Sequence, residues 1–200
     1  MNTRLLTVSV LAGLCGTASV SAAPAGNFLI VPGHRVGQTA LGPNGAAELN
    51  RLPTPAAEDN GMMQTHNVWV SHHSGRTDTL YVHTVANAAI GDTPVKPADG
   101  VTIDTIRVTS PQFHTQSGIS TRSTLAEVRR RFPNARADRF NPQIYSDARR
   151  GIVFEFTRPL SSASRCIAIS VFPPGADIAE TTQSQVNGLL KDSPVSAGRR

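Results

Sequence analysis

Residues 113–133, FHTQSGISTRSTLAEVRRRFP, constrain the fold more than any other stretch of this 200-residue chain. Thr124 followed three residues later by Glu127 makes a capping box: the hydroxyl accepts from one orphan backbone N–H at a helix start, and the carboxylate accepts from another. Leu125, Val128 and Phe132 then fall at i, i+3 and i+7, which is one helical face. Arg129, Arg130 and Arg131 fall mostly on the other faces, in the last turn, where cations suit the helix dipole. Pro133 cannot continue the helix. A helix this short is marginal alone, so its apolar stripe must pack against something, and the strand-like runs around it predict a sheet.

A weaker version of the same stretch, VGQTALGPNGAAELNRLPTP (36–55), lies about 80 residues earlier. Leu41, Leu49 and Leu52 are its apolar points, Glu48 matches Glu127, and Pro53 matches Pro133. Gly45 and the paired alanines make it the poorer helix. Strand-like runs follow each version. After the first come HNVWVS (66–71), a turn at HSGRTD (73–78), TLYVHTV (79–85) and VTIDTIRVTS (101–110). The apolar alternation slips near Asp104-Thr105, which predicts a bulge. After the second come Ile144-Tyr145, GIVFEFT (151–157) and RCIAISVF (165–172), the last ended by Pro173-Pro174. Phe28–Val31 reads as an edge strand, and 54–61, 87–100 and 134–143 read as loops. Each half alone is too small for much of a core. The expected fold is therefore α+β: two helix-plus-antiparallel-meander repeats, 23–110 and 111–172, forming one sheet with the short helices packed on one face.

The ends of the chain read differently. Arg4, the apolar run Leu5–Leu14 and the small residues up to Val20-Ser21-Ala22 have the pattern of a signal peptide, 1–22, cleaved before Ala23. The run is too short to span a bilayer. Cys15 raises a lipid anchor, although Leu14 stands where a lipobox wants a small residue. The expected location is periplasmic or secreted. Residues 23–172 form one expected structural domain. The tail 173–200 reads as a weak helix around Ile178–Leu190 with disordered last residues. After cleavage one cysteine remains, Cys166, inside the apolar run CIAISVF, where a buried structural thiol is expected and no internal disulfide is possible.

Charge separates the halves. Residues 23–110 carry five Lys or Arg against seven Asp or Glu, whereas 111–172 carry ten Arg against four acids. A basic half points to an acidic protein or an anionic envelope surface as partner. The expected contact residues are Arg129 and Arg130 on the helix, with Arg149 and Arg150. Few aromatics interleave with these arginines, so nucleic acid is not expected.

Catalytic patterns are missing. There is no G-x-S-x-G, P-loop, dinucleotide fingerprint or CxxC. Glu58-Asp59 sit in a polar stretch, and Ser74 beside His73 reads as turn chemistry. His66, His72, His73 and His83 gather near one hairpin; His66 and His72 share strand parity, and His83 is placed opposite Val68. Spread along a strand, three of them cannot easily meet one ion. The expectation is a non-enzymatic protein with no catalytic, metal or cofactor site. A metal-dependent or hydrolytic enzyme using the His66/His83 hairpin is the alternative.

Val36-Gly37, Leu41-Gly42 and Glu48-Leu49, and then Phe113, Thr115, Gly118-Ile119 and Glu127-Val128, resemble the repeats of the β-lactamase-inhibitor-protein-like architecture. The unit is also similar to that of the SmpA/OmlA outer-membrane assembly lipoproteins. The resemblance covers about residues 33–172. It implies a non-enzymatic, protein-binding module of the bacterial envelope. This chain departs from it at the lipobox and in lacking paired cysteines, so no partner and no functional residue carries over.

Overall fold

A computed structural model describes residues 28–61, 63–73, 75–86, 101–176 and 183–192. The expected signal peptide, its cleavage point and Cys15 lie outside the described residues, as do Ser74, the expected loop 87–100 and most of the end of the tail.

Twelve strands and three helices are described. β1 (Leu29–Val31), β2 (Arg35–Val36) and β3 (Thr39–Ala40) precede α1 (Gly45–Leu49). β4 (Ala57–Gly61), β5 (Gln64–His73), β6 (Arg76–Ala86) and β7 (Val101–Val108) follow. β8 (His114–Thr115) leads to α2 (Leu125–Arg131), and then come β9 (Arg136–Ala137), β10 (Ile144–Asp147), β11 (Ile152–Phe156), β12 (Cys166–Val171) and α3 (Gln183–Asp192). The strands build two sheets. The large one has eight strands in the order β4-β5-β6-β7-β12-β11-β10-β9, every neighbour antiparallel. The small one runs β3-β2-β1-β8 and contains a parallel pair, β1 with β8. The protein is thus mostly antiparallel β-sheet with a few short helices, an α+β fold.

Local chemistry sets these elements. Thr124 caps α2 in extended conformation, and both halves of the capping box are made. α1 is weaker for the reason its composition gives: Asn44 makes no side-chain cap, and the helix is five residues long. Gly45 is required there, because a Cβ would stand 2.2 Å from the carbonyl oxygen of Val101. The β5–β6 hairpin pairs His73 with Arg76, so the turn is tighter than the expected 73–78, and Gly75 supplies its left-handed residue at φ +76°. The expected bulge is present: Thr105 pairs with His83 and Ile103 with Thr84, leaving Asp104 unmatched.

Register assigns the faces. Leu80, Val108, Ile169, Phe154 and Tyr145 form one row across five strands and belong to the main core. α2 lays Leu125, Val128 and Phe132 on that core, with the Phe132 and Phe154 rings 4.9 Å apart, and Leu49 of α1 reaches it too. The other face carries the row Ala57, Val68, Tyr81, Arg107, Ser170, Val153. There α3 packs Val186 against Ala57, Val68 and Tyr81. Helices therefore cover both faces, not one, because the tail that reads as a weak helix has an apolar stripe and returns to the sheet.

Three other expectations are corrected. Residues 57–61 are an edge strand, not loop, since β5 offers them a full ladder of partners. Arg136–Ala137 inside the expected loop 134–143 pair with β10. Phe28–Val31 does not form an edge of the main sheet; β1 sits inside the small sheet and joins the start of the described chain to β8.

Candidate functional site

Several arginines of the second half lie on or near the C-terminal end of α2, whereas Arg122 and Arg165 lie by its N-terminal end and Arg158 bonds Gln143. Arg129 donates to the Tyr145 hydroxyl at 2.6 Å and lies over that ring at 5.1 Å. Arg150, in the turn after β10, lies over the Phe132 ring at 5.3 Å. Both are exposed at the head but clamped by the stem to core aromatics. Arg149 of the same turn lines a groove of about 530 Å³ with Arg136 and Arg139, which come from β9 and the loop after it. Arg130 is exposed on the last turn of α2 and lies near enough to Glu127 to favour its charged form.

What leaves these cations unneutralised is the fate of the four acids. Glu127 is taken by the capping box, accepting from the Thr124 backbone at 2.7 Å; that bond, with the Thr124 hydroxyl, holds its carboxyl below the ordinary range. Asp138 accepts from the backbone of Asn141 at 2.6 Å and of Phe140 at 2.8 Å, and those bonds hold it low too. Asp147 is buried and accepts from the Arg150 backbone at 3.4 Å, with the Arg150 side chain 3.8 Å away. Glu155 faces the other side of the sheet, where it accepts from Arg107 at 2.6 Å. All ten arginines of 111–172 are exposed, and among the described residues only Arg150 has a carboxylate within ion-pair distance. Phe140 stands 88% exposed beside Arg139, whose guanidinium lies 5.7 Å from its ring.

Of the expected contact residues, Arg129, Arg149 and Arg150 meet around one helix end, with Arg130 on the same last turn. Arg136, Arg139 and Phe140 were not expected. The run Asp138-Arg139-Phe140-Asn141-Pro142 has the residues of a side-chain-stabilised turn, and that signal marks a rigid tip.

The histidine hairpin is arranged differently from the expectation. His83 pairs with His66, not Val68, and their rings lie 4.6 Å apart. His66 Nδ1 bonds the Tyr81 hydroxyl at 2.7 Å; His83 Nδ1 bonds Asp104 at 2.6 Å, and its Nε2 bonds Gln64 at 3.1 Å. The bulge at Asp104 makes the second contact possible. Burial and then the charge of His83 lower the pKa of His66. His72 and His73 are exposed at the far end of the hairpin. Among the described residues no three or more His, Cys, Asp or Glu side chains converge on a point that could hold a metal ion. Cys166 is buried, and burial pushes its thiol up to about 12, so it is held as the thiol rather than as a nucleophilic thiolate. Among the described residues no helix is long and apolar enough to cross a membrane.

The fold and this surface define an α+β protein with a basic face. No family model matches the chain, and no curated protein matches it. Among solved structures, the uncharacterized protein yfeY from Escherichia coli is similar to it at 11% identity and a TM-score of 0.38, over 71% of this chain and 98% of that one. A match at that level assigns neither family nor activity.

Proposed function

We propose that this chain is an exported, non-enzymatic envelope protein acting as a binding module, and that its basic second half docks an acidic partner protein. The observation that carries the reading is the disposal of the four acids. Each is used inside the fold, while the arginines stay outside. A face that only served solubility would interleave both signs. The groove sets three arginines against two carboxylates, Asp138 and Asp147, that are already engaged inside the fold, and a net positive concave surface draws an opposite one and sets association rate more than final affinity.

Export rests on the signal-like start of the sequence. We further propose that the two halves are copies of one unit, a short helix followed by a four-strand meander, as in the β-lactamase-inhibitor-protein-like architecture. The matching order β4-β5-β6-β7 and β9-β10-β11-β12, joined through β7 and β12, supports this.

Two measurements test the reading. N-terminal sequencing of the exported protein is expected to start at Ala23; an intact Met1 or a lipid on Cys15 overturns it. Mature protein captures its partner from envelope extract, and Arg130→Glu with Arg149→Glu is expected to lose it. Equal capture by the double variant contradicts docking on this face.

A further inference from the structure

A second concave feature lies on the first half, away from the arginines. Asn67 of β5 pairs with Glu58 of β4 and Val82 of β6, on the face that carries α1. It lines a groove of about 290 Å³ between the α1–β4 connection and strands β4 to β6. Asn67 is only 5% exposed, yet among the described residues its Nδ2 has no hydrogen-bond partner. A buried amide without a partner costs stability, and such an orphan in a native fold asks for an explanation.

The rest of the lining says what could satisfy it. Leu49, Pro53 and Trp69 give the groove an apolar side, and the Trp69 indole N–H is already spent on the Pro53 carbonyl at 2.6 Å. That bond also holds the connection over the groove. Thr65 and Glu58 give the polar side, and among the described residues no Lys or Arg lines it. Among those residues Glu58 is the charged one, so a neutral ligand fits the lining better than an anion. A flat apolar ring leaves the polar side unmet. The fitting ligand has one acceptor for Asn67, hydroxyls for Thr65 and Glu58, and an apolar surface for Trp69.

We propose that this groove is a binding site for a neutral acetamido sugar. Its amide oxygen accepts from Asn67 Nδ2, its methyl lies against Leu49 and Pro53, and its ring lies against Trp69. Asn67 is then kept at the expense of stability because the ligand completes it. The site is separate from the basic face, so it stands or falls independently of the docking proposed above.

Trp69 is the only tryptophan of the chain, so its fluorescence reports the groove directly. Full-length mature protein is titrated with N,N′-diacetylchitobiose and, separately, with cellobiose, which has the rings but no acetamido groups. The expected result is a saturable change with the first and at least about tenfold weaker binding of the second. Asn67→Ala and the closer-sized Asn67→Leu are expected to weaken chitobiose by at least about tenfold, with urea midpoints unchanged or raised in at least one of them. No saturable response in the wild type overturns the proposal, as does equal affinity for the two disaccharides, or a folded Asn67 variant that binds like the wild type.

Discussion

Phe132 concentrates what holds the second half together. It is 2% exposed, packs on Phe154, and takes the Arg150 guanidinium on its ring. Phe132→Ala is expected to cost about 3–5 kcal/mol in urea unfolding; a loss below about 1 kcal/mol would mean the ring is not core. His66 adds a pH dependence. Burial and His83 both disfavour its charged form, against Asp59 and Asp104, so its folded pKa lies below the ordinary 6.5. The unfolded chain then binds the proton more readily than the folded one. The stability contributed is full above about pH 6.5 and is lost as pH falls below it. Between about pH 7.5 and about pH 5.5 the urea midpoint of the wild type should drop further than that of His66→Gln. Parallel drops would show that another group carries the dependence.

At the scale of elements, what could be read from the sequence follows from where the determinants sit. The boundaries and faces of α2 were legible because a capping box, an i, i+3, i+7 stripe and a proline are local signals. β5, β6, β7, β11 and β12 were legible as apolar or alternating runs. β4, AEDNG, was not, because an edge strand takes its stability from β5 rather than from its own residues. The small sheet was invisible for a similar reason: its strands have two or three residues, and one pair joins positions far apart in the chain. For the candidate site, Arg129, Arg130, Arg149 and Arg150 could be named from charge alone. The groove needs β9, which the sequence disguises as loop. The seam between the small sheet and the large one is tight at Gly151. Its φ is +67°, a Cβ would stand 2.0 Å from the Phe172 carbonyl oxygen, and its own carbonyl accepts from both Gly33 and Phe172. Gly151→Ala is therefore expected to destabilise by at least about 2 kcal/mol, whereas Gly118→Ala, also at positive φ but with open space around it, should cost less. Equal costs in denaturant unfolding would show that the seam is not close-packed.

Over the whole molecule the two halves share one sheet but not one charge. Arg107 of the first half is buried against Glu155 of the second, so the pair ties the halves together on one face while removing an acid from the basic half. The remaining acids serve a helix cap, a loop tip and a buried turn. The cations are left to the solvent, most of them spread over the end of α2, the groove and the Phe140 loop, with Arg122 and Arg165 by the start of α2. Attraction of this kind is screened over about 10 Å at 0.1 M salt. The measurement that bears most directly on a docking role is binding of the mature protein to poly-L-glutamate across a salt series, for the wild type and for Arg130→Glu/Arg139→Glu/Arg149→Glu. All three positions are exposed and carry no part of the core. The expected result is wild-type binding that is strongest at low salt and weakens steadily with added salt, with the variant folded and binding little at any concentration. Equal binding by the two proteins at every salt concentration would contradict a basic docking face.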